Sequence, residues 1–152
     1  MERDVQAGVR ARGRVRVCVG ESEVEADNLV VTGGLTRIAQ VLAGTASNTT
    51  TSWYIELGTG TTAVSAAQTT LATPSTSTWQ QVTAVSASGA TTLLESVYNA
   101  ASANGTWTEL GLFANATGTA GSGTMVARVL LPWVKTSSQY ATVTWSVTFS
   151  AT

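Results

Sequence analysis

The amino-acid sequence predicts a mainly β, single-domain protein: a β-sandwich or jelly-roll-like fold of about eight short strands with one short helix. Two observations support this fold class. Apolar residues alternate with Thr, Ser and charged residues along most of the chain, which is the period of a half-buried strand. Clusters of Gly, Pro, Asn and Ser separate the alternating segments, and helical spacing is convincing in one segment only.

The first two predicted strands form a charged hairpin. Arginines occupy alternate positions in residues 10–16, and acidic residues occupy alternate positions in residues 21–27. Because residues i and i+2 share one face of a strand, an antiparallel pair turning at Gly20 places the basic row opposite the acidic row. An Arg row also suits nucleic acid or another acidic surface, but the adjacent acidic row favours a self-neutralising hairpin. We therefore divide the chain into a charged N-terminal arm or first hairpin, residues 1–27, and a β-sandwich domain, residues 28–152.

The helix is predicted at about residues 35–43. Its apolar residues recur at i, i+3, i+4, i+7 and i+8, beginning with Leu35 and ending with Ala43. Gly44 is a typical stop signal for a helix, and Thr32 is a candidate N-terminal cap.

The remaining elements are short strands separated by loops. Residues 61–77 contain little charge and are predicted to form a long loop with one helical turn near residues 63–68. Pro132 is predicted to end the strand that precedes it, and the last strand alternates apolar residues with Thr and Ser. The strands predicted after the helix are residues 53–57, 78–86, 91–98, 107–114, 124–131 and 140–150.

Side chains that carry enzymatic chemistry are scarce. The chain has no histidine, a single cysteine, and only five charged residues after Arg37. Acid–base catalysis, nucleophilic catalysis and metal binding mostly use His, several Cys or clustered carboxylates. We therefore predict a protein that is not an enzyme, with no catalytic residues, no metal ligands and no cofactor.

Three features offer weaker alternatives. Glu56, Glu95 and Glu109 are the only acidic side chains after Asp27, and two of them could form a glycosidase pair. Ordinary positions in strands and turns explain them equally well. The Gly58-Thr-Gly-Thr-Thr-Ala segment lacks the third Gly of a dinucleotide motif and the Lys of a P-loop, which favours a plain turn. Cys18 lies among alternating valines without a histidine base, which favours a buried structural thiol.

The charge and hydropathy of the chain bear on its partners. A net charge of −1 protects the protein poorly against self-association, so we expect a homo-oligomer. Neither nucleic acid nor a membrane is an expected partner, because the net charge is near zero and no apolar run approaches the roughly 18 residues of a membrane span. Residues 1–16 lack the apolar segment of a secretory signal, so a cytosolic origin is expected.

The five Trp residues suggest either core packing or a binding surface. Trp107 and Trp145 share strand parity with apolar residues and are predicted to lie in the core. Trp133 follows Pro132 and is predicted to be a partly exposed interface anchor, because Trp is enriched at interfaces. A carbohydrate-binding platform is the less favoured alternative. The predicted interface residues are Arg10, Arg12, Arg14, Arg16 and Trp133.

Five segments in order resemble a group of small tailed-bacteriophage virion proteins, of the tail-fibre-like, tail-collar or minor structural kind. The resemblance covers about residues 28–149 and depends on the order and spacing of the segments. It implies a β-rich virion protein without enzymatic activity. The segments are Asn28-Leu-Val-Val-Thr-Gly-Gly-Leu, Ile55-Glu-Leu-Gly-Thr-Gly-Thr-Thr-Ala, Trp107-Thr-Glu-Leu-Gly-Leu-Phe, Met125-Val-Ala-Arg-Val-Leu-Leu-Pro and Val143-Thr-Trp-Ser-Val-Thr-Phe.

This resemblance leads to a functional expectation with two alternatives. The expected function is a structural part of the phage tail or fibre that contacts other virion proteins and forms a homo-oligomer, a trimer by family analogy. One alternative is a capsid decoration (cement) protein whose N-terminal arm lies across the head shell. The other is a carbohydrate-binding module that attaches to a host-surface glycan. The expected location is the virion, assembled in the host cytoplasm.

Overall fold

The structure is a computed structural model that describes residues 8–45 and 52–152. The described chain is mainly β, with nine strands and one helix, which confirms the predicted fold class. The elements are β1 (Val9–Val19), β2 (Ser22–Val30), α1 (Thr32–Leu42), β3 (Trp53–Gly58), β4 (Gln80–Gln81), β5 (Ala84–Ser88), β6 (Thr91–Tyr98), β7 (Gly105–Ala114), β8 (Thr124–Lys135) and β9 (Ala141–Ala151).

All nine strands belong to one antiparallel sheet in the order β4-β3-β7-β8-β2-β1-β9-β6-β5. Strand β2 joins its two halves, because most of β2 pairs with β1 whereas Leu29 and Val30 pair with β8. The β4 end of the sheet also contacts β6 of the other half, since the Ser96 hydroxyl of β6 donates to the Gln81 carbonyl of β4 at 3.1 Å. The sheet therefore curls until its halves face each other, as in a β-sandwich. We call β2, β1, β9, β6 and β5 the charged half, and β8, β7, β3 and β4 the loop-covered half.

Side chains from both halves form the main core between them. Trp145 of β9 is fully buried there, among valines of β1 and leucines of β7. The Tyr98 hydroxyl of β6 donates to the Ile55 carbonyl of β3 at 3.1 Å, and thus links the two halves directly. A Tyr with this burial and a satisfied hydroxyl fixes both the depth and the register of the packing.

A smaller core lies on the other side of the loop-covered half, under the segment that joins β3 to β4. We call residues 59–79 of that segment the covering loop. Trp79 packs on Phe113 of β7 with 4.8 Å between ring centroids, and Leu71 of the loop is buried beside them. The loop-covered half is therefore shielded on both faces, which explains the long apolar runs of β7 and β8.

Four details differ from the sequence predictions. Helix α1 begins at Thr32, three residues before the predicted start, because the Thr32 N–H is satisfied by the Ala66 carbonyl rather than by a side-chain cap. The covering loop contains turns and bends but no helical turn near residues 63–68. The strand predicted at residues 78–86 is two strands, β4 and β5. Strand β8 continues through Pro132, where it has β7 on one side only, so the missing N–H is tolerated.

Candidate interaction surface

The predicted charged hairpin is confirmed. Strands β1 and β2 pair antiparallel with Arg14 opposite Asp27 and Arg16 opposite Glu25. Arg14 lies 3.3 Å from a Glu25 oxygen and 3.2 Å from an Asp27 oxygen, and Arg16 lies 3.9 Å from a Glu23 oxygen. All these side chains are about half exposed or more, so each ion pair contributes only about 0.2–1 kcal/mol.

The predicted arginine row occupies the middle of the sheet. Arg10, Arg12, Arg14 and Arg16 point outward from β1, while Val15 and Val17 of the same strand are fully buried. Strand β1 lies between β2 and β9, so the described part of the N-terminal segment belongs to the same sheet as the rest of the chain. Residues 1–7 of the predicted arm lie outside the described residues.

The outer face of the charged half continues the arginine row into a surface five strands wide. Strand β9 contributes alternate Thr and Ser side chains, so that Thr144 lies beside Arg16 on one side and beside Glu95 of β6 on the other. In the next row, Ser146 lies between Arg14 and Leu93. The exposed apolar side chains of this outer face lie on β6, where Leu93 and Val97 are each 39% exposed. Val85 of β5 lies opposite the buried Leu94 and therefore points to the inner side of the sheet.

On the outer face of the loop-covered half, a buried ion pair binds the covering loop. Glu109 of β7 and Arg128 of β8 are both fully buried, with 2.6 Å between Arg128 Nη2 and Glu109 Oε2. The same carboxylate accepts N–H groups of the covering loop from Gly60, Ala72 and Thr73 at 2.7–3.0 Å. Burial raises the pKa of Glu109, but the Thr73 and Ala72 N–H groups and Arg128 lower it by more, so the net shift is downward. Glu109 is therefore an ionised anchor for the loop.

Arg128 completes this anchor from the other side of the carboxylate. Its Nη1 donates to Gln68 Oε1 at 2.9 Å and its Nη2 donates to the Thr62 carbonyl at 3.0 Å. Gly58 and Gly60 lie so close to Glu109 that a Cβ atom at either position would overlap its side chain. The glycines of the Gly58-Thr-Gly segment are thus explained by close packing, and Gly58 is the last residue of β3 rather than part of the predicted turn.

Glu56 and Glu95, the other two candidate carboxylates, lie apart from each other. Glu56 is 3% exposed in the smaller core, whereas Glu95 is half-buried on the outer face of the charged half. The pKa of Glu56 is raised to about 7. Burial is the largest cause, the nearby Trp79 indole partly opposes it, and the charge of Glu109 adds to the rise. The Trp79 N–H lies near the carboxylate but outside ordinary hydrogen-bond geometry.

The prediction of a buried thiol at Cys18 is wrong. Cys18 points outward from β1 and is half-buried, since the even positions of this strand face outward and the odd valines face inward. Its thiol donates to Glu23 Oε2 at 3.4 Å. Partial burial and the neighbouring Glu23 raise the pKa of Cys18, so little reactive thiolate is present at neutral pH.

The prediction of a partly exposed anchor at Trp133 is also wrong. Trp133 is 5% exposed and faces Tyr98 in the main core, with 6.5 Å between ring centroids. It shares strand parity with Val129 and Leu131, which face the same core, and Pro132 does not change that parity. Trp107 and Trp145 lie in the main core as predicted.

Lys135 is a buried structural residue that was not predicted from the sequence. Lys135 is 1% exposed, and its ammonium donates to the Ser102 carbonyl at 2.8 Å and to Asn104 Oδ1 at 2.7 Å. Burial lowers the pKa of this lysine. Its burial could have been predicted from the alternation of β8, because Lys135 falls at the next inward-facing position after Trp133.

Residues 8–45 and 52–152 contain no group of three or more His, Cys, Asp and Glu side chains placed to hold a metal ion. Within the same residues, no helix has the length and hydropathy needed to cross a membrane. Comparison with protein-family models, curated proteins and solved structures finds no significant match to this chain.

Proposed function

We propose that this protein is a non-enzymatic structural subunit of a tailed-bacteriophage virion, in the tail or fibre apparatus, and that it acts through contacts with copies of itself and with other virion proteins. The observation that carries the proposal is the contrast between the two outer faces of the sheet. The loop-covered half is closed by its own loop, whereas the charged half leaves a surface five strands wide uncovered among the described residues.

The uncovered surface has the composition that an assembly interface uses. Exposed apolar side chains at Leu93 and Val97 lie beside rows of Thr, Ser and paired charges. Strand β5 is exposed along its whole length, and β6 is its only ladder partner among the described strands, so it presents an unpaired sheet edge. Unpaired edges and exposed apolar patches favour association with another chain, and a stable interface needs about 1,000 Å² of buried surface or more.

A glycan-binding role receives less support from the structure. Trp107, Trp133 and Trp145 are buried, and Trp53 and Trp79 are half-buried against the two cores. A sugar needs an exposed aromatic face on which to stack, and these side chains are occupied by packing.

Quantitative mass spectrometry of purified virions that carry this gene tests the proposal. A few to tens of copies per particle are expected for a tail or fibre subunit. Hundreds of copies would replace the tail assignment with the capsid decoration alternative. Complete absence from the particle would refute a virion role.

A further inference from the structure

An open cleft of 960 Å³ separates β1 from β2 near the start of β1. The two strands pair only as far as Gly13 and Asn28, and then β2 turns away to pair with β8. Strand β1 continues back to Val9 with β9 as its only ladder partner among the described residues. The first residues of β1 therefore present an unpaired edge in the interior of the sheet.

The backbone groups on this edge can be assigned from the ladder. The Gly8 carbonyl accepts the Thr152 N–H at 2.9 Å, next to the pairing of Val9 with Ala151. In an antiparallel ladder, successive residues direct their N–H and C=O groups alternately to the two neighbouring strands. Arg10 and Arg12 therefore bond toward β9, whereas Val9 and Ala11 direct their backbone groups into the cleft.

Three side chains at the cleft, those of Arg10, Arg12 and Asn28, lack a polar partner within the part of the chain that the structure describes. Among the described residues, no carboxylate lies within ion-pair distance of Arg10 or Arg12, although Arg14 and Arg16 have theirs. At the inner end of the cleft, the Asn28 amide is buried with neither Oδ1 nor Nδ2 hydrogen-bonded within residues 8–45 and 52–152. Buried amides are usually satisfied, so this one is available to a group that enters the cleft.

The paired half of β1 indicates what would fill the unpaired half. Strand β2 lies beside Arg14 and Arg16 as an extended segment with a carboxylate at every second position. The same arginine spacing and the same strand edge continue to Arg12 and Arg10 without that neighbour. We propose that the cleft binds an extended segment of a neighbouring virion protein, with acidic side chains at alternate positions, which adds to β1 as an antiparallel strand.

This inference deepens the proposed function, because it names the chemistry of one subunit contact. It is tested on the isolated full-length chain, so its failure is separate from a failure to find the protein on virions. The probe is a fluorescein-labelled peptide with the β2 sequence of residues 22–29, and the control peptide has Gln and Asn in place of Glu and Asp.

The binding measurement is fluorescence anisotropy at low ionic strength. The acidic peptide is expected to bind, and the Arg10→Gln/Arg12→Gln variant is expected to weaken it about fivefold or more, since two exposed charge pairs are lost. The control variant Arg16→Gln is expected to leave the affinity unchanged. Equal binding of both peptides would overturn the proposal. Weakening by Arg16→Gln alone would show that the peptide replaces β2, which also overturns it.

Amide hydrogen exchange on the same sample locates the added strand. The Val9 and Ala11 amides are expected to exchange quickly in the free chain and to slow at least about tenfold with saturating peptide, while those of Arg10 and Arg12 change little. Slow exchange at Val9 and Ala11 without peptide would assign the cleft to the chain's own residues. Protection that rises with protein concentration would assign it to a second copy, and either result would overturn the proposal.

Discussion

Replacing Arg128 with Met is expected to destabilise the protein by about 3–5 kcal/mol, because it leaves the buried Glu109 carboxylate without its counter-ion. Arg128 is fully buried, and its Nε and Nη2 atoms lie 2.8 and 2.6 Å from Glu109 Oε2. Met has a flexible side chain that fills much of the same space, so the expected cost is electrostatic rather than a cavity. For a chain of 152 residues, this cost corresponds to a fall in Tm on the order of 10 °C.

The assay is urea unfolding followed by Trp fluorescence, with Arg16→Met as the matched control. Arg16 is half exposed and lies 3.9 Å from Glu23, so its loss is expected to cost less than about 1 kcal/mol. The double variant Arg128→Met/Glu109→Gln is expected to recover part of the loss, because a neutral Gln still accepts the Thr73 N–H. If Arg128→Met costs no more than Arg16→Met, the view that this ion pair anchors the covering loop is refuted.

Three further substitutions test other parts of the structure. The pKa of Glu56 in the folded state is about 7, which is above its value in the unfolded state. Protonated Glu56 therefore causes no charge-burial cost at low pH, and the folded state loses stability as the pH rises to about 7. Glu56→Gln should stabilise the protein by up to about 3 kcal/mol at pH 8 and by little at pH 4, measured by urea unfolding at both pH values. Lys135→Met should lower the free energy of unfolding by about 2 kcal/mol or more in the same assay, because buried carbonyl and amide oxygens lose their donor. A loss below about 0.5 kcal/mol, which is the size of a surface substitution, would contradict this structural role. Gly13→Ala should lower the free energy of unfolding by about 1–3 kcal/mol, because the new Cβ would overlap the Asn28 side chain. Adding Asn28→Ala should restore much of this stability. If thermal unfolding shows no recovery in the double variant, the overlap is contradicted.

The regular parts of the fold follow from sequence periodicity. The hairpin of β1 and β2 was predictable because charges at every second position fix both the outward face and the pairing of the strands. The last strand, β9, alternates Val143, Trp145 and Val147 with Thr and Ser, and these three side chains are buried. Each of these strands has one face in the core and one outside, which is the condition under which alternation is informative.

The loop-covered half was harder to predict, because both of its faces are buried. A β-bulge between Trp107 and Glu109 changes the parity of β7, so Trp107 and Leu110 both face the main core. Strand β8 carries Arg128 inside an apolar run, where a sequence pattern does not show whether a charge has a buried partner. That partner, Glu109, is 19 residues away in sequence and is brought near by the pairing of β7 with β8.

The candidate surface was predictable in part. The outward direction of the arginine row follows from its spacing, whereas the unpaired edge beside Arg10 and Arg12 depends on where β2 leaves β1. That divergence is set by long-range pairing with β8, which has no local signal. Trp133 was mispredicted because a proline usually ends a strand, whereas β8 continues through Pro132, where it has one neighbour only.

The most direct test of the account is the position of this protein on intact virions, seen by gold-labelled antibody in electron microscopy. For a tail or fibre subunit, we expect label on the tail or its fibres, at sites that repeat from particle to particle. Label over the head would contradict the tail assignment and favour a capsid decoration protein. Particles without label, from a preparation in which the antibody detects the protein only in the unassembled fraction, would contradict a structural role in the virion.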